Sequence, residues 1–175
     1  GYNGWVFTRK SAGLAVDGEV RWGGQAWRCD EQTRASIDWS CGFMRRETAW
    51  NWACLAGVAE DGTSIGLNLA AGVNETGITE NALWLDGQCI KLGAARFVFD
   101  RYRAGSEWRV TTEDGRVDLA FEPAGVRKER LNAWVLASNF RQFAGTFSGT
   151  VTDEAGKRIP VAGLRGLVED HFARW

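Results

Sequence analysis

The chain has 175 residues, 45% of them hydrophobic, and a formal net charge of -1. That balance excludes a general nucleic-acid binder, which needs a basic face to displace counterions. No apolar run reaches the roughly 18 residues that a membrane-spanning helix requires.

Taken in order, the segments alternate and are punctuated by glycine. Trp5–Lys10 reads as a first strand, and Glu19–Gly24 with Gln25–Asp30 as a hairpin around Gly23-Gly24. Ala35–Trp39 is a strand or a loop edge, and Cys41–Glu47 a connection. In Trp50–Leu55, period two sets Trp50, Trp52 and Cys54 against Asn51, Ala53 and Leu55. Ile65, Leu67, Leu69 and Ala71 then oppose a small-residue face of Gly66, Asn68, Ala70 and Gly72. Val73–Gly77 is a loop and Thr79–Leu85 a strand, with Gln88–Leu92 pairing back. Arg96–Arg101, Trp108–Thr112, Val117–Phe121, Asn132–Phe140 and Gln142–Thr152 continue the pattern. Gly145 and Gly149 fit bends or bulges in the last of these.

The pairs Asp17-Gly18, Asp61-Gly62, Asp86-Gly87 and Asp114-Gly115 stand between alternating segments, and Ala155-Gly156 is a further turn. Asp-Gly is a strong hairpin signal, because a type I′ turn needs positive φ at both central residues. The expected fold is therefore all-β: a single domain over residues 1–175. An antiparallel lipocalin-like, calycin-type β-barrel is preferred, with a β-sandwich as the alternative. The tail changes period. Leu164, Leu167, Val168, His171, Phe172 and Trp175 fall at helical spacing. They predict a short C-terminal helix, with a closing strand as the alternative.

Ten Trp and nine Phe against two Tyr and one Met either fill a core or line an apolar cavity. The four cysteines contain no CxxC spacing, and the chain has one His. No metal site and no cofactor are expected. The cysteines read as buried thiols in a reducing, cytoplasmic setting, and no secretory leader is expected.

Candidate site residues are few. Asn51, Asn68 and Asn81 lie on successive expected strands. They either orient a polar group of an apolar ligand or tie strands together. Trp50, Trp52 and Trp84 are the candidate aromatic lining, with strand core as the plain reading. Glu80 is the candidate general acid, since a carboxyl in an apolar cavity holds its proton more tightly. Its plain alternative is a surface carboxylate or a local salt bridge. Glu169 precedes the single His171 by two positions, which puts both on one side of a strand but not of a helix. Arg127, Lys128 and Arg130, with Glu129 inside the group, read as a solvated strand end rather than a phosphate site.

The segments YNGWVFTRKSAGLAVDGEV, TAWNWACLAG, IGLNLAAGVNETGITENALWLDG, ARFVFDR, GTFSGTV and GLVEDHFARW resemble the C-terminal part of proteins in domain-of-unknown-function family 2804. The resemblance covers essentially the whole chain. It implies a calycin-type barrel and distant kinship with two-barrel proteins that include carotenoid hydratases and some pericyclases. It also implies that the chain is the C-terminal half of a longer protein, with an N-terminal barrel half as partner. Three readings of function stay open. The first is binding of a small, largely apolar ligand, lipid or terpenoid-like. The second is an enzyme of the hydratase or pericyclase kind. The third is a filled-barrel interaction domain.

Overall fold

The structure is a computed structural model that describes residues 5–73, 78–103 and 105–175. Among these residues every regular element is a strand. In order they are β1 (Val6–Ala15), β2 (Glu19–Trp22), β3 (Gln25–Arg28), β4 (Arg34–Gly42), β5 (Glu47–Val58), β6 (Ser64–Ala71) and β7 (Ala82–Leu85). Then follow β8 (Gln88–Lys91), β9 (Ala95–Val98), β10 (Trp108–Thr112), β11 (Val117–Ala133), β12 (Leu136–Thr152) and β13 (Arg158–Arg174).

A nine-stranded antiparallel sheet, ordered β8-β7-β6-β5-β13-β12-β11-β10-β9, carries the fold. It is two up-and-down meanders joined edge to edge where β13 pairs with β5. The sheet curls into a half-barrel, so that β9 packs across to β6. The turns behave as their residues require. Asp86 and Gly87 both take positive φ in the β7–β8 hairpin, and so do Gly23 and Gly24 between β2 and β3. Asp61-Gly62 and Asp114-Gly115 also join hairpins, but there only the glycine takes positive φ. Asp17-Gly18 does not make a hairpin. It joins β1 to β2, which do not pair with each other. Residues 74–77, where a loop was expected, lie outside the described residues.

Period two decides the core. Ala53 and Leu55 of β5, Ile65, Leu67 and Leu69 of β6, and Leu83 of β7 point inward. They meet Val117, Leu119 and Phe121 of β11, Phe143 and Phe147 of β12, and Val168 of β13. Trp108 is the large aromatic of this core, stacked on Phe99 at 3.6 Å between ring centroids. Of the bends expected at Gly145 and Gly149, Gly145 stays in register with Gly166, and before Gly149 the register shifts with the extra residue on β13.

The ribbon of β1 and β4 is a separate pair laid over the outer face of β6. Gly66 makes this possible. A Cβ there would come within 2.4 Å of the Ala12 carbonyl oxygen. The small-residue face read from the sequence is thus a backbone-to-backbone contact.

Four expectations are corrected. Asn132–Phe140, expected as one strand, holds the turn at Trp134 and Val135 that separates β11 from β12. The tail is strand β13, not a helix, because β12 on one side and β5 on the other supply its hydrogen-bond partners along nearly its whole length. The cysteines are all free and none is fully buried: Cys41 and Cys89 are exposed, and Cys29 and Cys54 are half-buried. Residues Thr79 to Asn81 precede β7 rather than extending it.

Candidate functional site

The outer face of the half-barrel holds the unexpected chemistry. Strand register lines up three rows across β5, β13, β12 and β11: Trp50–His171–Phe140–Glu129, Trp52–Glu169–Gln142–Arg127 and Cys54–Leu167–Ala144–Gly125. Because β13 is a strand, Glu169 and His171 do share a side.

The third row floors an open cleft of about 570 Å³, lined by Ser36, Cys54, Ala56, Ala124, Ala144 and Leu167, with Arg165 at its rim. Small side chains leave this space, and β4 closes one wall through Ser36. Cys54 Sγ donates to Ser36 Oγ at 3.4 Å. Burial pushes the Cys54 thiol above its ordinary pKa.

The second row is polar. Gln142 Nε2 donates to Glu169 Oε1 at 2.6 Å, and Trp50 also bonds this carboxylate. Burial raises the Glu169 pKa, against the opposing pull of those two hydrogen bonds. Nearby Asp38 raises it further, and Lys10 lowers it.

The first row is aromatic. His171 lies 4.2 Å from the Trp50 ring and 5.0 Å from the Phe140 ring, between centroids. Its Nε2 is 3.0 Å from Ser138 Oγ. Burial lowers the His171 pKa, outweighing the opposite effect of Asp170. Burial thus biases the imidazole toward its neutral form, as it does the Glu169 carboxyl of the adjacent row.

The residues singled out in the sequence divide between the two faces. Trp50, Trp52, Asn68 and Trp84 share the outer face. Trp52 Nε1 donates to Asn68 Oδ1 at 2.9 Å, and Asn68 Nδ2 donates to the Glu80 carbonyl at 3.0 Å. Glu80 faces Lys10 Nζ at 3.5 Å and is not among the residues that line the cleft. Lys10 also pairs with Asp38. Asn51 and Asn81 lie on the inward side. Asn51 Nδ2 reaches Asp170 Oδ1 at 3.3 Å and the Glu169 carbonyl at 3.2 Å. Asn81, fully buried, accepts from Ala70 N at 2.7 Å and donates to the Gly93 carbonyl at 3.0 Å. The three asparagines therefore do not form one cluster.

Glu169, Gln142 and Ser36 were missed as site residues. The available signal was the two-residue spacing of Glu169 and His171, which the helical period of the tail obscured.

A profile described as Domain of unknown function (DUF2804) matches residues 2–175. The chain belongs to this family. No curated protein matches it. Among solved structures, the crystal structure of kievitone hydratase from Nectria haematococca is similar at 15% identity and a TM-score of 0.44. The match covers 95% of this chain and 52% of the hydratase, so the chain spans about half the length of that protein.

Proposed function

We propose that this DUF2804 chain binds a small, largely apolar ligand in the outer-face cleft. One observation carries the reading. A space of about 570 Å³, within the range of small-molecule sites, is lined mainly by small apolar side chains, and the next row on the same face of β12 and β13 is the hydrogen-bonded pair Gln142 and Glu169, outside the lining itself. The apolar part of the ligand lies over Leu167, Ala144 and Cys54. Its polar group extends beyond the lining, past Leu167, toward Glu169 and Gln142 in the next row. Native mass spectrometry of the purified protein, against its denatured mass, tests this directly. A lipid or terpenoid adduct that disappears in Ala144→Trp supports the cleft. An adduct retained in that variant places the ligand elsewhere.

An enzymatic use of the same site is favoured by Glu169. A half-buried carboxyl one row from an apolar cleft, its pKa raised by burial, is the kind of group that donates a proton to an unsaturated substrate. Glu169 thereby takes the role that the sequence reading gave to Glu80. Glu169→Gln that keeps binding and loses turnover supports catalysis, while unchanged turnover removes Glu169 from it. A partner barrel from an N-terminal half is part of the same proposal, supported by the sequence resemblance to two-barrel proteins.

A further inference from the structure

One end of the half-barrel is both apolar and positive. The β11–β12 hairpin projects there, and Trp134 with Val135 makes its turn. Trp134 is 94% exposed and sits at φ 55, a backbone region that a bulky side chain seldom adopts. Asn or Gly would fit that turn without strain, so a fully exposed Trp there points to use rather than folding. Leu131 and Leu136 flank it, also exposed.

The neighbouring chain ends add to the same surface. Trp5 and Phe43 pack edge to face at 6.1 Å, and both are exposed. Trp175 follows the last strand, 43% exposed. Two arginines tie Trp175 and its strand to the hairpin turn. Arg174 Nη2 donates to the Trp134 carbonyl at 2.8 Å, while Arg46 donates to the carbonyls of Trp175 and Val135 at 3.1 and 3.4 Å.

Cations lie at this end: Arg45 and Arg46 precede β5, Arg130 lies four residues before Trp134 on β11, and Arg174 ends β13 against the turn. The carboxylates at this end, Glu47 and Glu129, already face Arg174 and Arg127. The chain as a whole carries a net charge of -1, so this is a local asymmetry.

We infer that this end is an anchor for an anionic lipid surface, with Trp134 and Val135 entering the interface and the cations at this end meeting the headgroups. Tryptophan favours the headgroup level, where its ring is half apolar and its N–H stays wet. Basic side chains within a Debye length of an anionic leaflet add attraction that salt weakens. The chemistry distinguishes this surface from the ligand cleft. The cleft is a hollow of small residues with few charges, whereas the tip is a projecting Trp turn with cations at the same end. The inference is independent of the ligand reading.

The test is co-sedimentation of the whole protein with vesicles of phosphatidylcholine alone or of phosphatidylcholine with phosphatidylglycerol. The expected result is binding to the anionic vesicles only, reversed by high salt. Trp134→Asn, which suits a positive φ, lowers the partition coefficient severalfold. The pair Arg45→Glu and Arg130→Glu lowers it by about tenfold or more. Trp22→Ser is the control, because Trp22 is 79% exposed on the separate β2–β3 hairpin. It leaves binding unchanged, and circular dichroism shows every variant folded. No binding to anionic vesicles overturns the inference, and so does equal loss in Trp22→Ser. A dimer in light scattering that Trp134→Asn splits, without vesicle binding, also overturns it and assigns the tip to a second copy.

Discussion

Trp52 of β5 donates its indole N–H to Asn68 Oδ1 of β6 at 2.9 Å, and the amide nitrogen of Asn68 donates onward to the Glu80 carbonyl at 3.0 Å. One asparagine thus fixes an outer-face tryptophan and the chain entering β7. Asn68→Ala removes both bonds and leaves a buried carbonyl without its donor. The expected loss is roughly 2 kcal/mol in urea unfolding. Trp52→Phe, which removes only the indole donor, is expected to lose about 1 kcal/mol.

Asn81 is the tighter of the strand ties, because it is fully buried and bonds backbone groups on two different segments. Asn81→Ala is expected to destabilise by about 3 kcal/mol, more than Asn51→Ala, since Asn51 is only half-buried. Equal losses at the two sites would show that burial is not what separates them.

Gly66 takes an ordinary backbone conformation, so only space forbids a side chain there. Gly66→Ala puts a methyl against the Ala12 carbonyl and pushes the β1–β4 ribbon off the sheet. Overpacking of this kind costs about 1–3 kcal/mol. Limited proteolysis is the direct check. Cleavage within residues 16–33 is expected to speed up while the nine-stranded sheet stays protected.

Glu169 and His171 give opposite pH dependences. Glu169 has a folded pKa above its unfolded one, so the native state holds the proton longer. Stability falls as pH rises from the ordinary glutamate range through the raised value. His171 has a folded pKa below its unfolded one, so the unfolded state takes up the proton first. Its stability is present above the ordinary histidine pKa and is lost as pH falls through the lowered value. Glu169→Gln is expected to flatten the loss on the alkaline side, measured as the thermal midpoint across pH 4 to about 8. His171→Phe is expected to flatten the acid side. A parallel shift at all pH values would exclude titration as the cause.

Asp170 gathers Arg101, Arg141 and Asn51 at the mouth of the half-barrel. Arg141 also donates to the Arg101 carbonyl at 2.8 Å, so the segment after β9 is tied to β12 and β13. The Arg141 and Asp170 side chains are largely buried. Asp170→Asn leaves the Arg141 charge without its partner, and about 3 kcal/mol of destabilisation is expected. Hydrogen exchange is expected to rise first between Asp100 and Arg103.

Local rules in the chain were enough for the class of fold. Alternation from Ile65 to Ala71, and the Asp61-Gly62, Asp86-Gly87 and Asp114-Gly115 pairs, dictate antiparallel strands, because side-chain period and turn φ are properties of adjacent residues. The shared face of Trp50, Trp52 and Cys54 follows from the same rule. Which face looks inward does not. Ala53 and Leu55 turned to the core because Phe143, Phe147 and Val168, about a hundred residues later, close over them. The tryptophans were left to the outer face. The tail is the sharper case. Its apolar residues fit a helix by spacing, yet β5 and β12 offer hydrogen-bonding edges on both sides, and only a strand uses both. That pairing puts Glu169 beside Gln142 and His171 beside Trp50. Sequence alone determined the strands and the residue types. Contacts between distant segments decided the faces, the tail and the site, because burial of a strand face depends on a partner that local pattern does not encode.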